Sequence, residues 1–167
     1  MSPPRPSPYV ISYRGRFAFD LAPRHVWSTI EHTERFEAWW PWLRQVRLDG
    51  AGLEDGAELH GLVSPPVPYQ MRVRVVLDRC VAPHRIDATV HGDLEGEARL
   101  VLDPGGPDGT GGTEAEVSWT IEMMQRPMRL AARVAHPLLR WGHDRVVEAT
   151  CCQPPFNGTV VSHRHGR

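Results

Sequence analysis

From residue 9 the chain alternates apolar and polar side chains in a way that extended structure satisfies. Tyr9, Ile11, Tyr13, Gly15, Phe17, Phe19 and Leu21 hold the odd positions, and Ser12, Arg14, Arg16 and Asp20 fall between them. Successive strand residues point to opposite faces, so the segment predicts a long strand with one wet and one buried face. Pro23 opens a short helix with Val26, Trp27 and Ile30 inward. A second short helix, capped by Thr33, ends at Trp39-Trp40-Pro41-Trp42, because the residue before a proline is pushed out of helical geometry. These tryptophans either wedge the two helices against the core or touch a ligand. Strands follow at Val46–Leu53, Ala57–Val63, Tyr69–Asp78, Arg85–His91, Leu94–Leu102 and Thr113–Met123. Glu54-Asp55-Gly56 and Gly92-Asp93 make turns, Ser64–Pro68 is a stiff loop and Asp103–Gly112 a glycine-rich one.

After Met123 the period changes. Pro127–Ala149 reads as a helix about 35 Å long, whose buried half carries Leu130, Ala131, Val134, Leu138, Trp141 and Val146. Arg133, His136, Arg140, His143 and Asp144 lie on the wet half, and Pro137 bends the helix. Seven one-sided strands joined by short connections predict an antiparallel sheet, wet on one face and covered by this helix on the other, an α+β domain. The domain is expected over residues 9–150, after a disordered lead-in at 1–8 and before an unstructured tail at 151–167.

Composition narrows the function. The net charge is −1, which gives no bulk argument for nucleic acid or an anionic membrane. All 19 basic residues are arginine, so Schiff-base chemistry and a phosphate-loop lysine are excluded. No run of about 20 apolar residues could span a bilayer as a helix and no signal peptide is visible, so a cytoplasmic protein without an integral membrane segment is expected. Cys80, Cys151 and Cys152 make neither a disulfide framework nor a zinc motif, and no metal or cofactor is expected. His163-Arg164-His165 offers at most two metal ligands, a weak site.

Several motifs in this order resemble the START-like helix-grip superfamily (SRPBCC), in its polyketide cyclase/dehydrase and lipid-transport-like branch. They are Trp39 to Trp42 leading into a strand, Gly92-Asp93-Leu94-Glu95-Gly96 at the central hairpin, Gly112-Thr113 opening the strand with Trp119, and Trp141-Gly142-His143-Asp144 in the final helix. The resemblance covers roughly Tyr9 to Ala149. It implies a curved seven-stranded sheet gripping the C-terminal helix, two short helices after strand 1, and a cavity for apolar small molecules between sheet and helix.

The inward phase fits such a cavity. Gly15, Gly61, Ala88, Gly96, Ala98 and Ala115 leave volume beneath the helix, which means either close helix-to-sheet packing or the expected hollow. Candidate ligand contacts are Tyr13, Trp40, Trp42, Tyr69, Met71, Trp119, Met123, Leu138, Trp141 and Arg145. No carboxylate, histidine or cysteine falls on the inward phase of the strands, with His60 and His91 outward, so no catalytic residue is assigned. Arg145 sits on the buried half of the last helix. It either snorkels to water or fixes an acidic or carbonyl group of the ligand. The leading expectation is a binder or carrier of an apolar small molecule. The alternatives are a polyketide aromatase or cyclase that holds a reactive chain, with Tyr13, Tyr69 or Arg145 orienting an enolate, and an interaction module with a vestigial pocket. The oligomeric state is open.

Overall fold

The computed structural model describes residues 10–64, 70–105, 111–125 and 159–165. The strands are β1 (Val10–Phe19), β2 (Leu43–Asp49), β3 (Glu58–Val63), β4 (Met71–Val81), β5 (Arg85–Gly92), β6 (Leu94–Gly105), β7 (Gly112–Met123) and β8 (Thr159–His165). They form one antiparallel sheet in the order β2-β3-β4-β5-β6-β7-β1-β8. Between β1 and β2 lie helix α1 (Pro23–Ile30), a 3-10 turn (Thr33–Arg35) and the four-residue helix α2 (Phe36–Trp39). All seven predicted strands and both short helices are present. The predicted helix at Pro127–Ala149, the lead-in at 1–8, and Tyr9 and Tyr69 lie outside the described residues.

Local chemistry explains the boundaries. Pro23 occupies the first turn of α1, and Val26 and Trp27 face the core. The Trp27 indole donates to Glu31 Oε1 at 2.8 Å. Thr33 does not cap α2 with its side chain, since a 3-10 turn intervenes. The edge of β2 is covered instead from α2, where Glu37 Oε1 accepts the Val46 N–H at 2.9 Å. At the start of β7 the buried Thr113 hydroxyl donates to the Leu21 carbonyl at 2.5 Å. Leu21, predicted inward, lies past the end of β1 and is 40% exposed.

The Gly92-Asp93 turn locks three strands. Asp93 accepts the Arg72 N–H at 2.7 Å and the Gln125 side-chain amide at 2.6 Å, and returns its own N–H to the Arg72 carbonyl at 2.9 Å. Gly92 has φ 113° and Gly96 φ 153°, and a Cβ on either would collide with the backbone, of Arg72 and of Thr120 respectively. Only glycine permits that approach at that conformation.

The tail is the clearest departure from expectation. Hydropathy predicts no structure in residues 151–167, yet Thr159–His165 pairs with β1, from Tyr13 opposite His165 to Ala18 opposite Thr159. An edge strand is held by main-chain hydrogen bonds and needs no apolar alternation, so the hydropathy pattern carries no signal for it. Without β8, β1 would present a row of unpaired backbone groups. Deleting residues 159–167 is therefore expected to lower stability, at about 1 kcal/mol per lost backbone hydrogen bond, and to promote self-association through β1. Thermal melts and size-exclusion chromatography check this; an unchanged melting temperature and elution volume would contradict the pairing.

Candidate functional site

The inner face of the sheet is apolar and divides into an aromatic end and an aliphatic end. The aromatic end is built by β1, β6 and β7 with α1: Tyr13, Phe17, Phe19, Val26, Trp27, Leu102 and Ala115 form one buried cluster. Trp39, Trp40 and Trp119 pack against it. Tyr13 and Trp119 face each other in register across β1 and β7 and stack, with ring centroids 4.6 Å apart and planes 25° from parallel. At the aliphatic end, Met71 and Met123 share a cluster with Val90 and Leu94.

The structure thus brings together six of the ten predicted ligand contacts as two groups on one face. Tyr13, Trp40, Trp42 and Trp119 sit at or beside the aromatic end, and Met71 and Met123 at the other. Trp40 stacks on Trp42 with centroids 6.2 Å apart, and Phe36 lies 4.6 Å from Trp40. Because Trp39 and Trp40 pack on the buried cluster, both serve as the predicted wedge. Tyr69, Leu138, Trp141 and Arg145 lie outside the described residues.

Three of the glycines predicted to leave a hollow have that space filled. Gly15 leaves no hollow, because the Tyr13 phenol lies over it: a Cβ there would strike the Tyr13 ring and hydroxyl. The space above Gly61 is filled by Leu43, 3.1 Å from where its Cβ would be. At Gly96 the backbone of β7 takes the room. Ala88 and Ala115 are buried within core clusters and Ala98 packs against the methionine cluster.

The inner face also holds a thiol. Simple alternation puts Cys80 on the outer phase, but the ladder between β4 and β5 shifts register between Leu77 and Arg79. That irregularity reverses the alternation and pairs Cys80 with Ile86, against the core. The tight bulge leaves Asp78 outside, accepting from the Thr89 hydroxyl at 2.6 Å. Burial first, then Asp55, Asp87 and Glu54, push the Cys80 thiol up to about 11. It packs beside the core clusters and is held largely in the neutral form. Only the persistence of strand residues past Asp78 hints at it in the sequence.

The outer face is mostly charged or polar. Arg14 and Arg16 pair with Glu116 and Glu114 across β1 and β7. Asp87 bridges Arg85 at 2.7 Å and Arg99 at 2.6 Å, and these guanidinium groups hold its carboxyl below the usual range. An open trough of about 660 Å3, lined by Ser12, Arg14, Asp87, Arg99, Ser118 and Thr120 among others, lies on this face. His60 and His91 lie on the outer face as predicted, His60 within 3.3 Å of Asp49 and 3.4 Å of Glu58. Among the described residues no cluster of histidine, cysteine and carboxylate side chains could hold a metal ion, and no helix is long and apolar enough to cross a membrane.

With this geometry in hand, comparison with known proteins bears on the fold. No family model and no curated protein matches the chain. Among solved structures it is similar to TTHA0849 from Thermus thermophilus, with a TM-score of 0.63 and 14% identity over 83% of this chain and 90% of that one. The di-domain ARO/CYC BexL from the BE-7585A biosynthetic pathway gives a TM-score of 0.63 and 16% identity, covering 86% of this chain and 48% of that one. Ara h 8.0201 gives 0.57 and 14%, over 84% and 95%. Identities this low speak to the fold alone. The sheet and its two short helices are those of the helix-grip architecture.

Two outcomes follow. Gly15→Ala should destabilise the protein by about 1–3 kcal/mol through overpacking against Tyr13, and the penalty should largely vanish in a Tyr13→Ala background. A double-mutant cycle by denaturant unfolding tests it; equal penalties in both backgrounds would mean that Tyr13 does not occupy the space. Alkylation of Cys80 by iodoacetamide in the folded protein, followed by peptide mass spectrometry, should run roughly 100-fold slower than in the unfolded chain, since a thiol pushed up to about 11 carries that much less thiolate.

Proposed function

We propose that the chain binds an apolar small molecule of lipid or polyketide character against the concave face of the sheet. The observation that carries this reading is the stacked Tyr13–Trp119 pair beside a methionine-lined end, on a face whose one described thiol is held neutral. A flat aromatic platform favours ring stacking, and methionines adapt to irregular apolar shapes. In this reading Trp40 and Trp42 stand at the rim, and Tyr69, Leu138, Trp141 and Arg145 are further proposed ligand contacts. Arg145, a charge in an otherwise apolar sequence phase, is assigned the task of fixing an acidic or carbonyl group of the ligand.

A second reading, a polyketide aromatase or cyclase acting by substrate positioning, is favoured by the likeness to BexL, of which the chain spans about half the length. It needs no strong base, because holding a reactive chain in the ring-closing conformation lowers the barrier by itself.

Native mass spectrometry of the purified protein separates the two. A lipid-like adduct that leaves on denaturation supports the binder. Ligand-free protein that redirects the products of a minimal polyketide synthase supports the cyclase. Trp119→Leu should weaken a planar polycyclic probe about five-fold, as expected for losing one aromatic pair, with a smaller effect on a fatty acid. Arg145→Met should weaken fatty acids more than their neutral analogues; equal effects on both would remove Arg145 from the site.

A further inference from the structure

The tail that becomes β8 carries chemistry that strand pairing does not require. Its register with β1 sets His165 opposite Tyr13 and His163 opposite Gly15, while Arg164 and Ser162 stand opposite Arg14 and Arg16. Residues directly opposite in an antiparallel pair share a face. Tyr13 and Phe17 belong to the inner cluster, and Arg14 and Arg16 carry the outer ion pairs. His163 and His165 therefore take inner-face positions, and Arg164 an outer one. The bulge between Arg16 and Phe17 comes beyond Ser162, so it leaves this phase intact.

Spacing makes the two histidines a chelating pair. Residues i and i+2 of a strand lie about 7 Å apart on one face, and neighbouring strands about 4.8 Å apart. From positions so placed, two imidazoles can close on one ion at about 2.0–2.1 Å, the usual length of a zinc–nitrogen bond. The adjoining strand supplies a third donor. The buried Tyr13 side chain runs along β1 until its hydroxyl lies over Gly15, so it begins in the row of His165 and ends in the row of His163. The stack with Trp119 fixes the ring from the β7 side.

The donor types select the occupant. Imidazole nitrogen suits zinc and copper, whereas magnesium and calcium require carboxylate and carbonyl oxygen. The β7 members of the same two rows are Trp119 and Val117, which offer no such oxygen from their side chains. A phenol next to a dication gives up its proton more readily, so Tyr13 suits the same kind of ion. Neither the edge ladder nor the apolar face gives any reason for one imidazole here, and still less for two at successive inner positions.

We propose that His163, His165 and the Tyr13 hydroxyl form a three-donor site for a divalent transition-metal ion, Zn2+ or Cu2+, and that the bound ion clips β8 to β1. The juxtaposition of β8 and β1 carries the inference, independently of which apolar molecule the concave face takes.

Isothermal titration calorimetry of the full chain, first stripped with a chelator, tests it with Zn2+, Cu2+ and Mg2+. A single ion should bind per chain, Cu2+ more tightly than Zn2+ and Mg2+ not at all. His163→Gln and His165→Gln should each weaken Zn2+ more than about 10-fold, the cost of losing even an outer-shell partner of a metal ligand, with the metal-free melting temperature unchanged. His60→Gln with His91→Gln, on the outer face, should bind as the parent does. Zn2+ should raise the melting temperature of the parent and not of His163→Gln. With Cu2+, the parent should show a phenolate-to-copper charge-transfer band that Tyr13→Phe lacks. No saturable Zn2+ binding, unaltered affinity in His163→Gln or His165→Gln, loss of affinity in the outer-face variant instead, or a copper spectrum indifferent to Tyr13→Phe would each overturn the proposal. None of these readouts depends on whether native mass spectrometry finds a lipid-like adduct.

Discussion

The shape of the sheet rests on two places where backbone approaches backbone too closely for any side chain. At Gly92 a Cβ would meet the Arg72 carbonyl, and at Gly96 it would meet that of Thr120. Both glycines hold positive φ. Between them Asp93 draws the starts of β4 and β6 and the end of β7 to one point through hydrogen bonds of 2.6 to 2.9 Å. A sheet pinned this way has two unequal faces, and everything proposed for function depends on keeping them distinct. Thr113 does the same at the far end of β7, tying it to the chain leaving β1.

Much of this is legible in the sequence because strand alternation is a strict signal. Where one face is buried, a one-residue slip exposes every apolar side chain, so the period of two survives selection for stability. That logic places Tyr13, Met71, Trp119 and Met123 on one face. It fails where the period itself breaks. The register shift after Leu77 moves Cys80 from the wet phase to the core, and the shift between Arg44 and Arg47, with Gln45 at φ 53°, extends β2 back to Leu43. Bulges leave no hydropathy signature, since they are defined by which partner bonds are made.

Two other failures have the same origin, contacts that only the folded chain creates. Small residues read as unfilled volume, but Tyr13 folds along its own strand over Gly15, and Leu43 reaches Gly61 from β2. Strand β8 is held by the backbone of β1, and an edge ladder can be made by almost any sequence free of proline.

The division of labour between the faces then follows from the charge pattern. On β1 and β7 the outer face is self-neutralising: each arginine has a glutamate opposite or diagonal to it, the arrangement that keeps a wide exposed sheet soluble without attracting a charged partner. Exposed pairs of this kind contribute little stability, at most about 1 kcal/mol each, so their benefit lies in what they prevent. The same device recurs on β2 to β4, where Arg47 pairs with Asp49 and Arg74 with Glu58. Met71, Val73 and Val75, which alternate with the arginines of β4, turn to the core, so charge on one face and apolar matter on the other are set by the same register.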